Sequence, residues 1–203
     1  MPRRTSRTLV AVAAALAAAG AGLGLPAAAH AAAPATAVTA AVQAAGANTP
    51  AAHTVTYDGY SLMIDGKRTY VWSGEFHYSR LPSPSLWLDV LQKMKAAGFN
   101  AVSIYFDWAY HSPKQGVYDF SGVRDVDHLL DLAAQAGIYV IARPGPYINA
   151  EVDSGGFPAW LDTLPGKDRS TDPTYLAAAD EWLSHIDPIL ARHQLTNGTG
   201  TVI

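Results

Sequence analysis

One pattern recurs along this chain and limits its fold more than any other feature. An amphipathic stretch is followed by a glycine, an apolar run and a long polar loop. Trp87, Val90, Leu91 and Met94 stand at i, i+3, i+4 and i+7, the spacing that puts apolar side chains on one face of a helix. Gly98 ends that helix and Ala101 to Phe106 follows as an apolar, β-prone run. The same order returns with Val126, Leu129, Leu130 and Ala133, then Gly137, then Ile138 to Ala142. The two glycines are 39 residues apart. A third copy is predicted from Tyr175 to Leu195, a helix bent at Pro188, with a turn at Asn197-Gly198 and a strand beginning at Thr201-Val202-Ile203. Ahead of the repeat, Val55 to Tyr57 and Ser61 to Ile64 read as short strands, and Asp58-Gly59 and Asp65-Gly66 as tight turns. The second turn leads into Thr69 to Trp72, the expected first strand of the larger sheet.

Helix, glycine, buried strand and loop make a β/α module, and near-continuous apolar strands predict a parallel sheet covered on both faces. The predicted fold is α/β: an incomplete (β/α)8 barrel, its first three to four β/α units, preceded by a short β-hairpin. Eight such units take roughly 250 residues, so 203 residues predict a partial barrel.

The first 53 residues have a different character. Arg3, Arg4 and Arg7 precede an apolar run from Thr8 to Leu25, and Ala29-His30-Ala31 has the form of a cleavage site. Residues 1–31 are therefore expected to be a signal peptide, with export to a secreted, extracellular location. Residues 32–53 are an Ala-rich tether with too few large side chains to offset their ordering entropy. The folded part is expected over 54–203. Cleavage at residue 31 takes away three of the 14 basic side chains and none of the 17 acidic ones, leaving a net charge of −6. That balance argues against nucleic acid or an anionic membrane surface as partner. Without cysteine, the chain must be held by a packed core.

In a barrel of this kind the chemistry sits at the C-terminal ends of the strands. Gly74 to Arg80, Tyr105 to Trp108 and Arg143 to Glu151 are expected there. These loops mix aromatic rings with polar groups, which suits a neutral polyol: its C–H face stacks on rings and its hydroxyls meet fixed donors and acceptors. No phosphate-cradling glycine loop and no histidine pair at metal-ligand spacing is present, so no metal or cofactor is expected.

The motifs at these ends are specific. RPGPYINAE (143–151), closely followed by GGFPAWL (155–161), resembles the third-strand loop of the family 35 glycoside hydrolases. GEFHYSRLP (74–82), the segment WLDVLQKMKAAGFN (87–100), SIYFDW (103–108) and TNGTGTVI (196–203) resemble the same family in the same order. The Asn of PYINAE and the DWA tripeptide are similar to the large fungal-type β-galactosidases. The resemblance implies a TIM barrel that releases terminal β-galactose with retention at the anomeric carbon, using two carboxylates about 5–5.5 Å apart. It implies that Tyr105, Asn149, Ala150 and Glu151 bind the galactose hydroxyls. It also places the acid/base in an Asn-Glu-Tyr motif just past the fourth strand and the nucleophile later still. Neither catalytic glutamate is then among these 203 residues, and the fragment is expected to be inactive.

The remaining polar residues carry blander expectations. Glu75 is read as structural or supporting, and Arg143 as the partner of a carboxylate inside the barrel. His77 and Arg80 either wall the pocket or anchor a loop; Trp108 either stacks on sugar or is buried. Many family members follow this Trp with Asn, an aromatic and His-Glu-Pro, whereas Ala109-Tyr110-His111-Ser112-Pro113 stands here, and Ser112 cannot supply a charge. Two other functions compete: a non-catalytic carbohydrate-binding remnant, and a related exo-β-glycosidase of different sugar specificity.

Overall fold

The computed structural model describes residues 52–198 and 200–203. The expected signal peptide (1–31) and most of the expected tether (32–53) lie outside the described residues. His53, at the tether's end, already belongs to the fold: its Nδ1 lies 2.7 Å from Asp65 Oδ2, and its backbone N–H donates to Leu195 O.

Two sheets are formed. β1 (Val55–Tyr57), β2 (Leu62–Ile64) and β3 (Lys67–Thr69) make an antiparallel meander. Asp65 and Gly66 both have positive φ, as a two-residue hairpin turn requires, and they set Ile64 opposite Lys67. Asp58 accepts two bonds from Arg68 at 2.9 and 2.6 Å and bonds from the Tyr60 and Ser61 amides, which hold its carboxyl well below the usual range.

Thus the expected hairpin is a three-stranded meander, and Thr69 to Trp72 is not the first strand of the parallel sheet. That strand is β4 (Ser73–Glu75). It is parallel to β5 (Ala101–Tyr105), which is parallel to β6 (Tyr139–Arg143). Asn100 sets the shift: its Oδ1 accepts from Trp72 N, and its Nδ2 donates to Tyr70 O. Those bonds hold 70–72 as a connector from one sheet to the other. A fourth parallel strand begins where expected: Val140 N donates to Thr201 O and Ile203 N to Val140 O.

The helices follow the apolar spacing. α1 (Trp87–Ala96) buries Trp87 and Leu91. The short α2 (Trp108–His111) starts on the Asp107 carboxylate. α3 (Val126–Ala136) opens on Asp125, which accepts from His128 N, and closes on Gly137 at φ +66, where no Cβ opposes the left-handed turn. α4 (Pro173–Arg192) starts at Asp172 and runs through Pro188.

Pleating sorts the sheet into two unlike faces. Val102, Ile104 and Val140 lie fully buried in the core with Leu91, Leu129, Leu130 and Trp182. Gly74 shares that face because a Cβ there would come 2.6 Å from Met94 Cε. The other face carries Glu75, Ser103, Tyr105, Ile141 and Arg143, all half-buried or exposed. Among the described residues the helices therefore cover one face, not two, and the open face ends in polar groups.

The loop after Trp108 turns inward. His111 and Ser112 are fully buried. His111 Nδ1–H donates to Asp119 O at 2.8 Å, which leaves Nε2 to accept from the Tyr78 hydroxyl. Burial outweighs the Asp119 carbonyl and pushes the imidazole down from 6.5 to about 4. The folded chain thus keeps His111 neutral while the unfolded chain protonates it below pH 6.5. This contribution is present in full above pH 6.5 and is lost as pH falls toward 4, on the order of 3 kcal/mol at most. Urea midpoints taken across pH 7 to 4 are expected to fall in that window, and His111→Gln to flatten the slope. An unchanged slope in the variant would assign the pH dependence to other groups.

Candidate functional site

The three parallel strands end side by side. Register places Glu75 beside Ser103 and Tyr105 beside Arg143, so Glu75, Tyr105 and Arg143 share the open face. Arg143 lies over the Tyr105 ring, its guanidinium carbon 3.7 Å from the centroid, and Nη1 is 3.5 Å from Glu75 Oε2. On the other oxygen of Glu75, His77 Nε2 lies at 2.9 Å, and the His77 ring stacks on Tyr105 with centroids 5.8 Å apart. Glu75 therefore bridges two cationic or cation-capable groups that both pack on one tyrosine. Such a half-exposed pair contributes little to stability by itself, but it fixes where the ring stands.

Glu151 arrives from the loop after β6. A carboxylate oxygen of Glu151, one of Glu75 and a ring nitrogen of His77 all lie within 4.8 Å of one another. Tyr105 and Glu151 thus both lie against His77, one through its ring and one through a ring nitrogen. Asn149 and Glu151 both have positive φ, 50° and 48°, an uncommon state for residues with a Cβ. Several contacts hold this turn. Tyr147 Oη donates to Asn149 Oδ1 at 3.0 Å, and the Ile148 and Asn149 amides both donate to Gly155 O. The Tyr147 ring fills the space where a Cβ on Gly155 would lie, 2.0 Å from Cε2. Ala150 is buried, and its carbonyl, like that of Glu151, accepts from Arg80 Nη2.

Beyond Glu151 a pocket of about 560 Å³ opens, lined in part by Asp107, Tyr110, Asp153 and Phe157. Burial raises the Asp107 carboxyl, and the Tyr110 and Ala109 amides offset part of that. The cleft thus offers carboxylates as acceptors, an aromatic hydroxyl, a side-chain amide and flat rings.

Of the residues expected at the site, Tyr105 and Glu151 each neighbour His77, Asn149 lies on the same turn as Glu151, and Ala150 can offer only its backbone. Arg143 has its carboxylate partner, Glu75. Arg80 anchors a loop. Trp108 is buried, packed on Trp182 and Trp160, and does not reach the cleft. The closeness of Glu75, His77 and Glu151 was not expected from any metal-type spacing. Its trace is the i, i+2 separation of Glu75 and His77 at a strand end, which keeps both on one face. The three could offer one donor atom each to a cation. Arg143 already places a positive charge on Glu75, which disfavours a second one.

The class of protein set by the fold is a parallel α/β frame with carboxylates and aromatic rings at its strand ends. Sequence comparison is more specific: the profile of the glycosyl hydrolases family 35 matches residues 61–203, and the chain belongs to that family. It is 50% identical over 151 residues to a probable beta-galactosidase C of Neosartorya fischeri. It is 52% identical over 149 residues to a probable beta-galactosidase A of Aspergillus fumigatus. Each alignment covers 73% of this chain and 15% of the relative, so the chain spans about 15% of the length of the curated relatives it matches. Among solved structures, an endo-1,4-beta-mannanase from Rhizomucor miehei superposes with a TM-score of 0.54 at 21% identity, over 73% of this chain and 46% of that one. An exo-beta-1,4-mannosidase from an Opitutaceae bacterium gives 0.50 at 17% identity, over 64% of this chain and 23% of that one. These two likenesses speak to the fold alone.

Proposed function

We propose that Tyr105, Asn149, Ala150 and Glu151 bind the terminal β-D-galactose of a β-galactoside, and that the protein acts as a retaining exo-β-galactosidase. The observation that carries this reading is that Tyr105 and Glu151 both lie against His77 near the strand ends, in a chain half identical to proteins named as probable beta-galactosidases. A carboxylate accepts sugar O–H bonds with charge assistance, and such bonds strengthen as the ring approaches the oxocarbenium ion. On this reading the parallel sheet is the first part of a (β/α)8 barrel, and its open face becomes the barrel interior. The acid/base and the nucleophile are supplied by sequence outside residues 1–203. Residues 1–31 direct export, and the protein works outside the cell.

The reading separates binding from turnover. The 203-residue chain is expected to bind methyl β-D-galactoside in an NMR titration and to leave nitrophenyl β-D-galactoside unhydrolysed. Tighter binding of the matching β-glucoside or β-glucosaminide would give the site to another sugar. Hydrolysis by purified chain would place the bond-breaking carboxylates among the residues present.

A further inference from the structure

Resting on that reading of the cleft, we infer that Arg80 is the positioning residue that gives the sugar-binding turn its shape. Arg80 is 69 residues before Asn149, on a different loop. It ends a short 3-10 helix, Tyr78–Arg80, whose Tyr78 is buried and bonded to His111. The base of this arm is therefore fixed in the core. From it, a single nitrogen, Nη2, reaches the carbonyls of Ala150 and Glu151 at 3.2 and 3.1 Å.

Those two carbonyls lie in a stretch of left-handed backbone. Asn149 and Glu151 both stand at positive φ, with Ala150 between them. In ordinary extended backbone, successive side chains diverge to opposite sides. Here the reversal at 149 and again at 151 sets where the Asn149 amide and the Glu151 carboxylate point. The bonds from Ile148 and Asn149 to Gly155 hold the turn from behind, and Arg80 holds its far end. Among the described residues, Arg80 is the side chain that donates to the carbonyls of Ala150 and Glu151. Arg80 also links the loop after β4 to the loop after β6, which brings His77 and Glu151 within reach of the same ligand. Arg80 acts through the turn and need not touch the sugar.

Because both bonds leave one nitrogen, the planar fork of arginine is not what the site uses. An ammonium has three N–H donors on one nitrogen and can serve the same pair of carbonyls. The test compares the full 203-residue wild-type chain with Arg80→Ala and Arg80→Lys. Without sugar, hydrogen exchange at the amides of 148–155 is expected to rise about tenfold in Arg80→Ala, while α3 amides keep their wild-type rates. With methyl β-D-galactoside, Arg80→Ala is expected to bind about tenfold more weakly and Arg80→Lys within about threefold of wild type. Unchanged exchange in Arg80→Ala overturns the clamp. So does faster exchange with undiminished affinity, or a lysine that restores neither. If exchange rises as expected and the wild type binds no galactoside, the turn is held as described and the galactose reading fails instead.

Discussion

Glu151→Gln is expected to weaken binding of methyl β-D-galactoside about 10- to 100-fold while leaving the chain folded. Glutamine keeps the length and shape of the side chain. It removes the charge and turns one acceptor into a donor. Sugar hydroxyls that donate to a carboxylate then meet an N–H, and a charge-assisted bond is lost outright. The fold should not suffer, because Glu151 is exposed and its charge lies within 4.8 Å of the Glu75 and His77 donor atoms. Relief of repulsion with Glu75 offsets any attraction lost to His77. Titration by NMR with a parallel melting curve separates the two effects. Wild-type affinity in the variant would remove Glu151 from the sugar and take the proposed function with it.

Trp182→Ala is expected to cost about 3–5 kcal/mol of stability. Trp182 is fully buried in α4. It stacks against Trp108 at 6.2 Å, His111 at 5.9 Å and Phe120 at 6.3 Å, so its removal opens a cavity among rings that cannot collapse into it. It also strands an acceptor: Trp182 Nε1 donates to Pro144 O at 2.8 Å, on the strand-to-loop junction that leads to Asn149 and Glu151. Against a total of roughly 5–15 kcal/mol for an ordinary domain, the loss is a large fraction. The thermal midpoint should drop by about 10–15 °C. Trp182→Phe keeps most of the stacking and loses the bond to Pro144, so it should fall between the two. A Trp182→Ala chain that melts within a few degrees of wild type would show that the ring cluster is not the keystone of this core.

Much of the frame is legible in the amino-acid order, and the exceptions have physical reasons. Apolar spacing finds α1 and α3, and Gly137 marks the end of α3, because an amphipathic face and a left-handed cap are local properties. β5 and β6 read to within a residue because their apolar runs are strong. β4 is missed by its own chemistry: Ser-Gly-Glu has no apolar side chain, and its Gly is there to admit Met94 from α1. Covering of the sheet on both faces was expected from strand composition, but Ser103 and Arg143 belong to the uncovered face. In the cleft, Tyr105 and Glu151 are legible through motif resemblance. The linking roles of Glu75, His77 and Arg80 are not, since they join residues tens of positions apart. The burial of the segment after Trp108 is not legible either. There the sequence shows only a departure from the family pattern, while His111 and Ser112 are wholly interior and Trp160 Nε1 donates to the Ser112 carbonyl.

The open face of the sheet has an electrical consequence. Arg143 and Glu75 sit where water still reaches them, with side chains 44% and 41% exposed, so dissolved salt weakens their attraction while the cleft is empty. A guest that displaces that water lowers the local dielectric response, and the same charges at the same separation then pull several times harder. Occupancy and rigidity should therefore rise together, and high ionic strength should loosen the vacant rim far more than the filled one.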